Sequence, residues 1–250
     1  MRKVLTGFWM CWGNFCYIPG LKKWDEEARP YMLAWLPTVG LIMGLIWAFI
    51  YWLAARFGLH PMALAAIMVW LPFILSGFMH VDGYMDVNDA VMSRGTLEKK
   101  RAILKDSRCG TFAIVSFIFL VLTEFGFMYG ALDKDVSIDP VRLVMIMIMA
   151  RSFSGLMMAT RRPMDTSQYV SMKRDRKAEA FMLIQLAVYL AAGMILGAEF
   201  SKVLLTACVS VIGTIIPILL AERDLQGMNG DIAGYGILWG EMLGIVTLIF

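Results

Sequence analysis

Seven stretches of this chain are apolar over lengths close to the thickness of a bilayer's hydrocarbon core: residues 31–54, 61–78, 110–131, 143–158, 179–197, 203–220 and 232–250. Crossing that core as a helix takes about 20 apolar residues, and a helix satisfies its own backbone hydrogen bonds within one segment. The blocks therefore predict an all-α polytopic membrane protein with about seven transmembrane helices. Composition agrees, because 59% of the 250 residues are hydrophobic and only 17% are charged, against roughly half and a quarter in soluble domains. The polar intervals are too short to fold separately, so residues 1–250 read as a single integral membrane domain. At the start, Arg2-Lys3 followed by apolar residues up to Tyr17 superficially resembles a signal peptide. Trp9, Trp12, Gly13 and Asn14 interrupt the run and no small-residue cleavage site follows. The segment is expected to stay attached, interfacial or re-entrant, with its aromatic rings at headgroup level. Cys11, Cys16, Cys109 and Cys208 show no metal-binding spacing and are expected to be free thiols.

Positive charges alternate along this frame. The first polar stretch carries Arg2, Lys3, Lys22, Lys23 and Arg29, and the interval after the second span carries Arg94, Lys99, Lys100, Arg101, Lys105 and Arg108. After the fourth span come Arg161, Arg162, Lys173, Arg174, Arg176 and Lys177, and after the sixth Arg223. The opposite turns hold only Arg56, Lys134, Arg142 and Lys202. By the positive-inside rule the rich side is cytoplasmic, which predicts the N-terminus inside, the C-terminus outside and any chemistry on the cytoplasmic face. The expected location is the cytoplasmic (inner) membrane. His60, on the sparse side, has no acidic or thiol partner near it in sequence.

One polar interval stands out, His80-Val81-Asp82-Gly83-Tyr84-Met85-Asp86-Val87-Asn88-Asp89-Ala90, at the expected cytoplasmic end of the second span. If it is helical, spacings of four and three put Asp82, Asp86 and Asp89 on one face. Three adjacent carboxylates repel unless a cation sits among them, and oxygen-only ligation suits a hard ion, Mg²⁺ above all, which keeps waters and shares a substrate phosphate. The bland alternative is a set of solvated aspartates at a span boundary. Further on, Lys105-Asp106-Ser107-Arg108-Cys109-Gly110-Thr111-Phe112 combines basic groups with the N-terminus of the third span, both suited to an anionic ligand. Lys99, Lys100 and Arg101 read better as a positive flank.

Arg151 lies inside the fourth apolar block, where a guanidinium must pair, face a polar cavity or snorkel to the interface. Glu124 and Glu241, also within spans, need partners for the same reason. The pair Arg161-Arg162 just beyond the fourth span is weaker evidence for anion binding. Gln226-Gly227-Met228-Asn229-Gly230-Asp231-Ile232-Ala233-Gly234 again sets glycines around an Asp at the cytoplasmic boundary. Carboxylates, cations and glycines converging on one interface suit metal-assisted phosphoryl transfer to a substrate at the membrane surface.

These motifs resemble the cobalamin synthase family, the adenosylcobinamide-GDP ribazoletransferases. The likeness includes His80 to Ala90, Lys105 to Phe112, Leu36 to Gly44, Ala150-Arg151-Ser152, Gly227 to Gly234 and an N-terminal Ile18-Pro19, in the family's order across nearly the whole chain. The family usually has Gly where Ala90 stands and Thr where Asn229 stands, and Leu is frequent at the positions of Val81 and Tyr84. The resemblance implies transfer of the adenosylcobinamide-phosphate group from adenosylcobinamide-GDP to α-ribazole or its 5′-phosphate, with release of GMP. It implies Mg²⁺ on Asp82, Asp86 and Asp89, catalytic roles for His80, Asp82, Lys105, Asp106 and Arg108, and substrate contacts from Arg151, Asp231 and Arg161. His80 would accept the attacking hydroxyl's proton or brace the metal site. The expected partners are the two substrates and the lipid bilayer; nucleic acid is not among them, and an oligomer is compatible with the sequence.

Two other classes fit less well. A CDP-alcohol phosphotransferase would need an Ala-Arg pair shortly after the Asp-Gly, where this chain has Tyr84-Met85. A cation-coupled transporter would be expected to show repeats with broken helices near the midplane, and the acidic cluster lies at the interface instead.

Overall fold

The computed structural model describes residues 2–106, 108–133 and 138–250; Ser107 of the second motif and Lys134 of the sparse side lie outside the described residues. Among those described there are eleven α-helices and no strand. They are α1 Arg2–Phe15, α2 Arg29–Ala34, α3 Leu36–Arg56, α4 Pro61–Leu75, α5 Met79–Met92 and α6 Leu97–Ile103, followed by α7 Thr111–Leu132, α8 Pro140–Thr160, α9 Arg176–Leu196, α10 Phe200–Leu225 and α11 Gly230–Thr247. A short 3-10 turn, Glu26–Ala28, precedes α2.

Five helices, α3, α7, α8, α9 and α10, are long and apolar enough to cross a membrane, or six if α4 and α5 together count as one span. The block at 232–250 becomes α11, which falls outside the five because it carries Asp231, Glu241 and five glycines within its 18 residues. The block at 31–54 is divided at Trp35, since Pro37 opens α3 and has no backbone N–H to continue the helix from α2. The block at 61–78 ends early, at Leu75. Gly77 and Phe78 follow with φ of 61° each, and this left-handed pair turns the chain so that α5 leaves α4 at 91°. With His80, Asp82, Asp86 and Asp89 in 14 residues, α5 is the polar limb of the bent pair and α4 the apolar one.

Local chemistry sets several helix starts. His60 caps α4, its Nδ1 accepting the Met62 N–H at 3.3 Å, with Pro61 in the first turn. Asp139 caps α8 by accepting the Val141 N–H at 2.9 Å, and Asp175 caps α9 by accepting the N–H groups of Lys177 and Ala178. The four cysteines are free, Cys11 and Cys16 buried, Cys109 and Cys208 exposed.

Helix α8 is the axis of the bundle. Some 67% of its most apolar stretch is buried, against 17% for α9, which leaves most of its surface uncovered by the other helices. Helices α3, α10 and α11 pack on α8, while α5 lies across α11 and α7. The ends segregate as alternating connections require. Ala131, Ile138, Arg142, Ala198 and Phe250 share one cleft, whereas residues from the C-terminal part of α1, the starts of α3, α5 and α11, and the C-terminal part of α8 share a cavity at the other end.

Arg142 departs from the expected turn position. It lies within α8, 4% exposed, donating from Nε to Thr206 Oγ1 at 3.0 Å and from Nη2 to the Thr247 carbonyl. Arg151 is therefore not alone among buried cations in this helix.

Candidate active site

Glycines bring the two acidic motifs together. A Cβ on Gly83 would stand 2.8 Å from both Cα and the carbonyl oxygen of Asp231, and one on Gly234 would stand 3.2 Å from the His80 Cα. The α5–α11 crossing therefore depends on hydrogen at these positions, and it places Asp231 beside the Asp82 face of α5. Asn229 starts α11, accepting the Ile232 N–H at 3.0 Å, and its Nδ2 donates to Asp231 Oδ2 at 2.7 Å. The preceding loop is pinned by the Met164 N–H donating to the Met228 carbonyl at 2.8 Å and the Met228 N–H donating to that of Arg162 at 2.9 Å. Gly83→Ala should force backbones apart, costing about 1–3 kcal/mol and reducing activity with it. Thermal unfolding in detergent together with an activity assay checks this, and a parent-like variant would show that the crossing is looser than drawn.

His80, Asp82, Asp231, Phe15, Ser154 and Tyr169 are among the residues lining a cavity of about 130 Å³ at this crossing. Asp86 senses Asp82, Asp231 and Asp89; burial, followed by those three charges, pushes its carboxyl up to about 7. Burial also raises Asp231, against the hydrogen bond from Asn229, and Asp82 raises it further. Asp89 packs against the start of α7: its Oδ1 accepts the Ala113 N–H at 3.4 Å, and any Cβ on Gly110 would overlap its carboxylate. The second motif thus reaches the first through Gly110, whose missing side chain is filled by the Asp89 carboxylate.

The other predicted residues divide. His80 is 3% exposed, stacks on Phe15 with centroids 6.3 Å apart, and has no hydrogen-bond partner at Nε2. Burial, and secondarily Arg151, lower it to about 3, so it is a neutral imidazole at physiological pH and a weak base. Asp106 and Arg108 pair with each other at 2.6 Å on the exposed loop before α7. That pairing, led by the Arg108 side-chain hydrogen bond, holds Asp106 down to about 2. Lys105 is exposed on the same loop. Arg151 does not snorkel: it is fully buried, paired with Glu241 of α11 and donating to Met147 Sδ at 2.9 Å, while its Nε and Nη2 have no partner. It lies behind His80 rather than in the cavity wall. Arg161 stands apart, bound to Glu222 at 2.7 Å in a separate cleft with Arg162 and Arg223. Lys100 pairs with Asp224 at 2.6 Å, so the expected flank residue ties α6 to α10.

The residues fit a hard cation by charge and donor type. Asp82, Asp86, Asp89 and Asp231 form no ion pair among the described residues. Among those residues no three His, Cys, Asp or Glu side chains close on a common point. An ion that takes one or two carboxylates and keeps its waters needs no such closed cage.

Sequence reasoning missed Gln168 and Tyr169 as cavity residues. They come from an irregular loop with no chemical signature, and only the fold shows that it covers the start of α11.

Comparison with known proteins shows the family. The family model for cobalamin-5-phosphate synthase matches residues 7–249. The adenosylcobinamide-GDP ribazoletransferase of Clostridium perfringens strain 13 is 32% identical over 239 residues, covering 94% of this chain and 93% of its own. That of Clostridium botulinum strain Alaska E43 is 29% identical over 252 residues, covering 99% and 98%. The one from Halalkalibacterium halodurans is 27% identical over 266 residues, covering 100% and 98%. No solved structure gives a significant match. With the family model spanning almost the whole chain, the protein belongs to the cobalamin-5-phosphate synthase family.

Proposed function

We propose that this chain transfers the adenosylcobinamide-phosphate group from adenosylcobinamide-GDP to α-ribazole or its 5′-phosphate, releasing GMP, the final assembly step of the cobalamin nucleotide loop. The observation that carries the reading is the α5–α11 crossing, which sets Asp82 and Asp231 in the wall of a small cavity, with Asp86 close enough to feel both charges and that of Asp89. A pyrophosphate needs counter-charge where negative charge builds up. Mg²⁺ held by Asp82, Asp86 and Asp89 would supply that charge and polarise the phosphoryl oxygens. Asp231, fixed by Asn229, extends the same acidic wall. The neutral Nε2 of His80 is a hydrogen-bond acceptor or donor for the attacking hydroxyl; with so low a basicity it orients that group rather than holding its proton through the reaction. Arg108, tied to Asp106 at the rim, offers its guanidinium to non-bridging oxygens, and Lys105 adds charge beside it.

The membrane arrangement follows from the same residues. Helix α4 and helix α11 join the five long helices to make seven crossings, with α1 along the interface. The rich set of positive charges then lies with the cavity on the cytoplasmic face of the bacterial inner membrane. Lipid is the expected surround for exposed Phe49, Trp52, Leu122, Ile184 and Ile195.

The test is incubation of purified protein with adenosylcobinamide-GDP, α-ribazole and Mg²⁺, reading GMP by chromatography; no GMP above a protein-free control overturns the reading. The Mg²⁺ requirement should also depend on pH with a definite sign. In the metal-free protein Asp86 is protonated below about 7, so cation and proton compete and Mg²⁺ activation should need more metal at pH 6 than at pH 8. Identical activation curves at the two pH values would remove Asp86 from the metal site.

A further inference from the structure

A second, larger concavity lies against the first. It has a volume of about 980 Å³ and is lined by Lys3, Arg29, Lys173, Arg174, Arg176 and Lys177. Glu26, Glu27 and Asp175 also face it. Arg29 forms the wall between the two cavities. Its Nη1 donates at 2.9 Å to the carbonyl of Gln168, and its guanidinium carbon lies 5.7 Å from the centroid of Tyr169. Both Gln168 and Tyr169 line the aspartate cavity.

Arg29 is 9% exposed, and its buried Nε has no partner. Nη1 is also 3.1 Å from Glu26. Lys3 pairs with Glu27 and Arg174 with Glu179. Lys173, Arg176 and Lys177 make no ion pair among the described residues. Surplus positive charge around a buried, half-satisfied guanidinium is the arrangement expected of a site for phosphate oxygens. Trp24, 53% exposed, stands with its ring centroid 5.3 Å from the Arg29 guanidinium carbon, a flat face on which a base can stack.

The carboxylates narrow the choice of base. Guanine presents N1–H and a 2-amino group, adjacent donors that two carboxylate oxygens from different side chains can each accept, whereas the corresponding edge of adenine has an acceptor at N1. Glu27 Oε1 and Asp175 Oδ2 have no bond to protein among the described residues.

Resting on the transfer reaction proposed above, we infer that this groove holds the guanosine end of the donor, with Arg29 and the Lys173–Lys177 segment on the phosphates and the acidic side chains on the guanine edge. The scissile phosphate then enters the aspartate cavity past Arg29, and the GMP released is left in the groove.

The experiment uses the full chain in detergent and in nanodiscs. GMP, IMP and AMP are measured by equilibrium dialysis against the parent, a Lys173→Gln/Lys177→Gln double variant at exposed positions, and Arg29→Gln. GMP should bind the parent at least about tenfold more tightly than IMP, which lacks the 2-amino group, and both variants should lose about tenfold or more in GMP affinity. In turnover the KM for the donor should rise similarly, with that for α-ribazole changed less than about twofold. Equal binding of GMP, IMP and AMP, or unchanged GMP affinity in the double variant, overturns the inference. If the groove instead holds lipid headgroups, the double variant loses only the difference in activity between phosphatidylcholine nanodiscs with and without phosphatidylglycerol, and the inference fails. Nucleotide dialysis does not require turnover, so a parent that binds GMP selectively yet releases none from the donor refutes the reaction while leaving the groove assignment standing.

Discussion

Replacing Asp82, Asp86 or Asp89 by Asn should each lower turnover by about 10²–10³-fold while the protein remains folded in detergent. Each change removes one charge and keeps nearly the same shape. Asp86 is the most telling of the three, because burial and three neighbouring carboxylates already push it up to about 7. Its replacement relieves repulsion in the metal-free protein, so Asp86→Asn should unfold at the parent temperature or above when metal is absent. Asp89→Asn has an added cost. Its carboxylate fills the space over Gly110 and accepts the Ala113 N–H at 3.4 Å, so an amide there can keep the hydrogen bond but loses the charge that a helix N-terminus favours. Excess Mg²⁺ should restore part of the activity in the mildest variant, as weakened metal binding requires and a lost proton acceptor does not. Near-parent turnover of all three in limiting Mg²⁺ would dismiss the metal assignment.

The largest effect on stability should come from Glu241→Leu. Arg151 is fully buried and its ion pair with Glu241 ties α8 to α11. Removing the acid strands a guanidinium whose Nε and Nη2 already lack partners. Breaking a buried pair from one side costs about 3–5 kcal/mol, whereas replacing both partners with apolar groups of similar volume is close to neutral. Thermal unfolding in detergent should therefore show a large loss for Glu241→Leu and a substantial recovery for Arg151→Met/Glu241→Leu. Activity separates the roles of the pair. A stable double variant with parent-like turnover would make Arg151 purely structural, and a stable but inactive one would show that His80, which feels the Arg151 charge, depends on it for positioning. If Glu241→Leu unfolds at the parent temperature, the pair does not hold the bundle.

How much of this was legible in advance varies from element to element. Runs of apolar residues announce helices in lipid because hydrocarbon leaves the backbone no other partner, and α3, α7, α8, α9 and α10 lie where the blocks predicted. Their ends shifted by a few residues where capping decided the matter, as with Asp139 before α8 and Asp175 before α9. The turn after α4 was not legible. A left-handed Gly77 is ordinary, but a left-handed Phe78 is uncommon for a bulky residue, and the resulting 91° bend turns α5 away from α4. Helix α11 misled in the opposite way, since its glycines and Glu241 lower its apolarity while serving close packing and the pair with Arg151.

What the sequence determined by itself was the class of protein and the chemical kind of its site. Hydrophobic length sets the helices, and the four-and-three spacing of Asp82, Asp86 and Asp89 places them along one helix without reference to any other part of the chain. The tertiary structure alone decided the partners. Asp231 joins Asp82 because Gly83 lets two backbones approach, Arg151 turns inward because Glu241 stands opposite it, and Arg161 falls outside the cavity because Glu222 holds it elsewhere. Gln168, Tyr169 and Arg29 come together across 139 or more residues of chain. Local spacing encodes what one helix presents, but which faces meet is fixed by the packing of all of them at once, and no single segment carries that information.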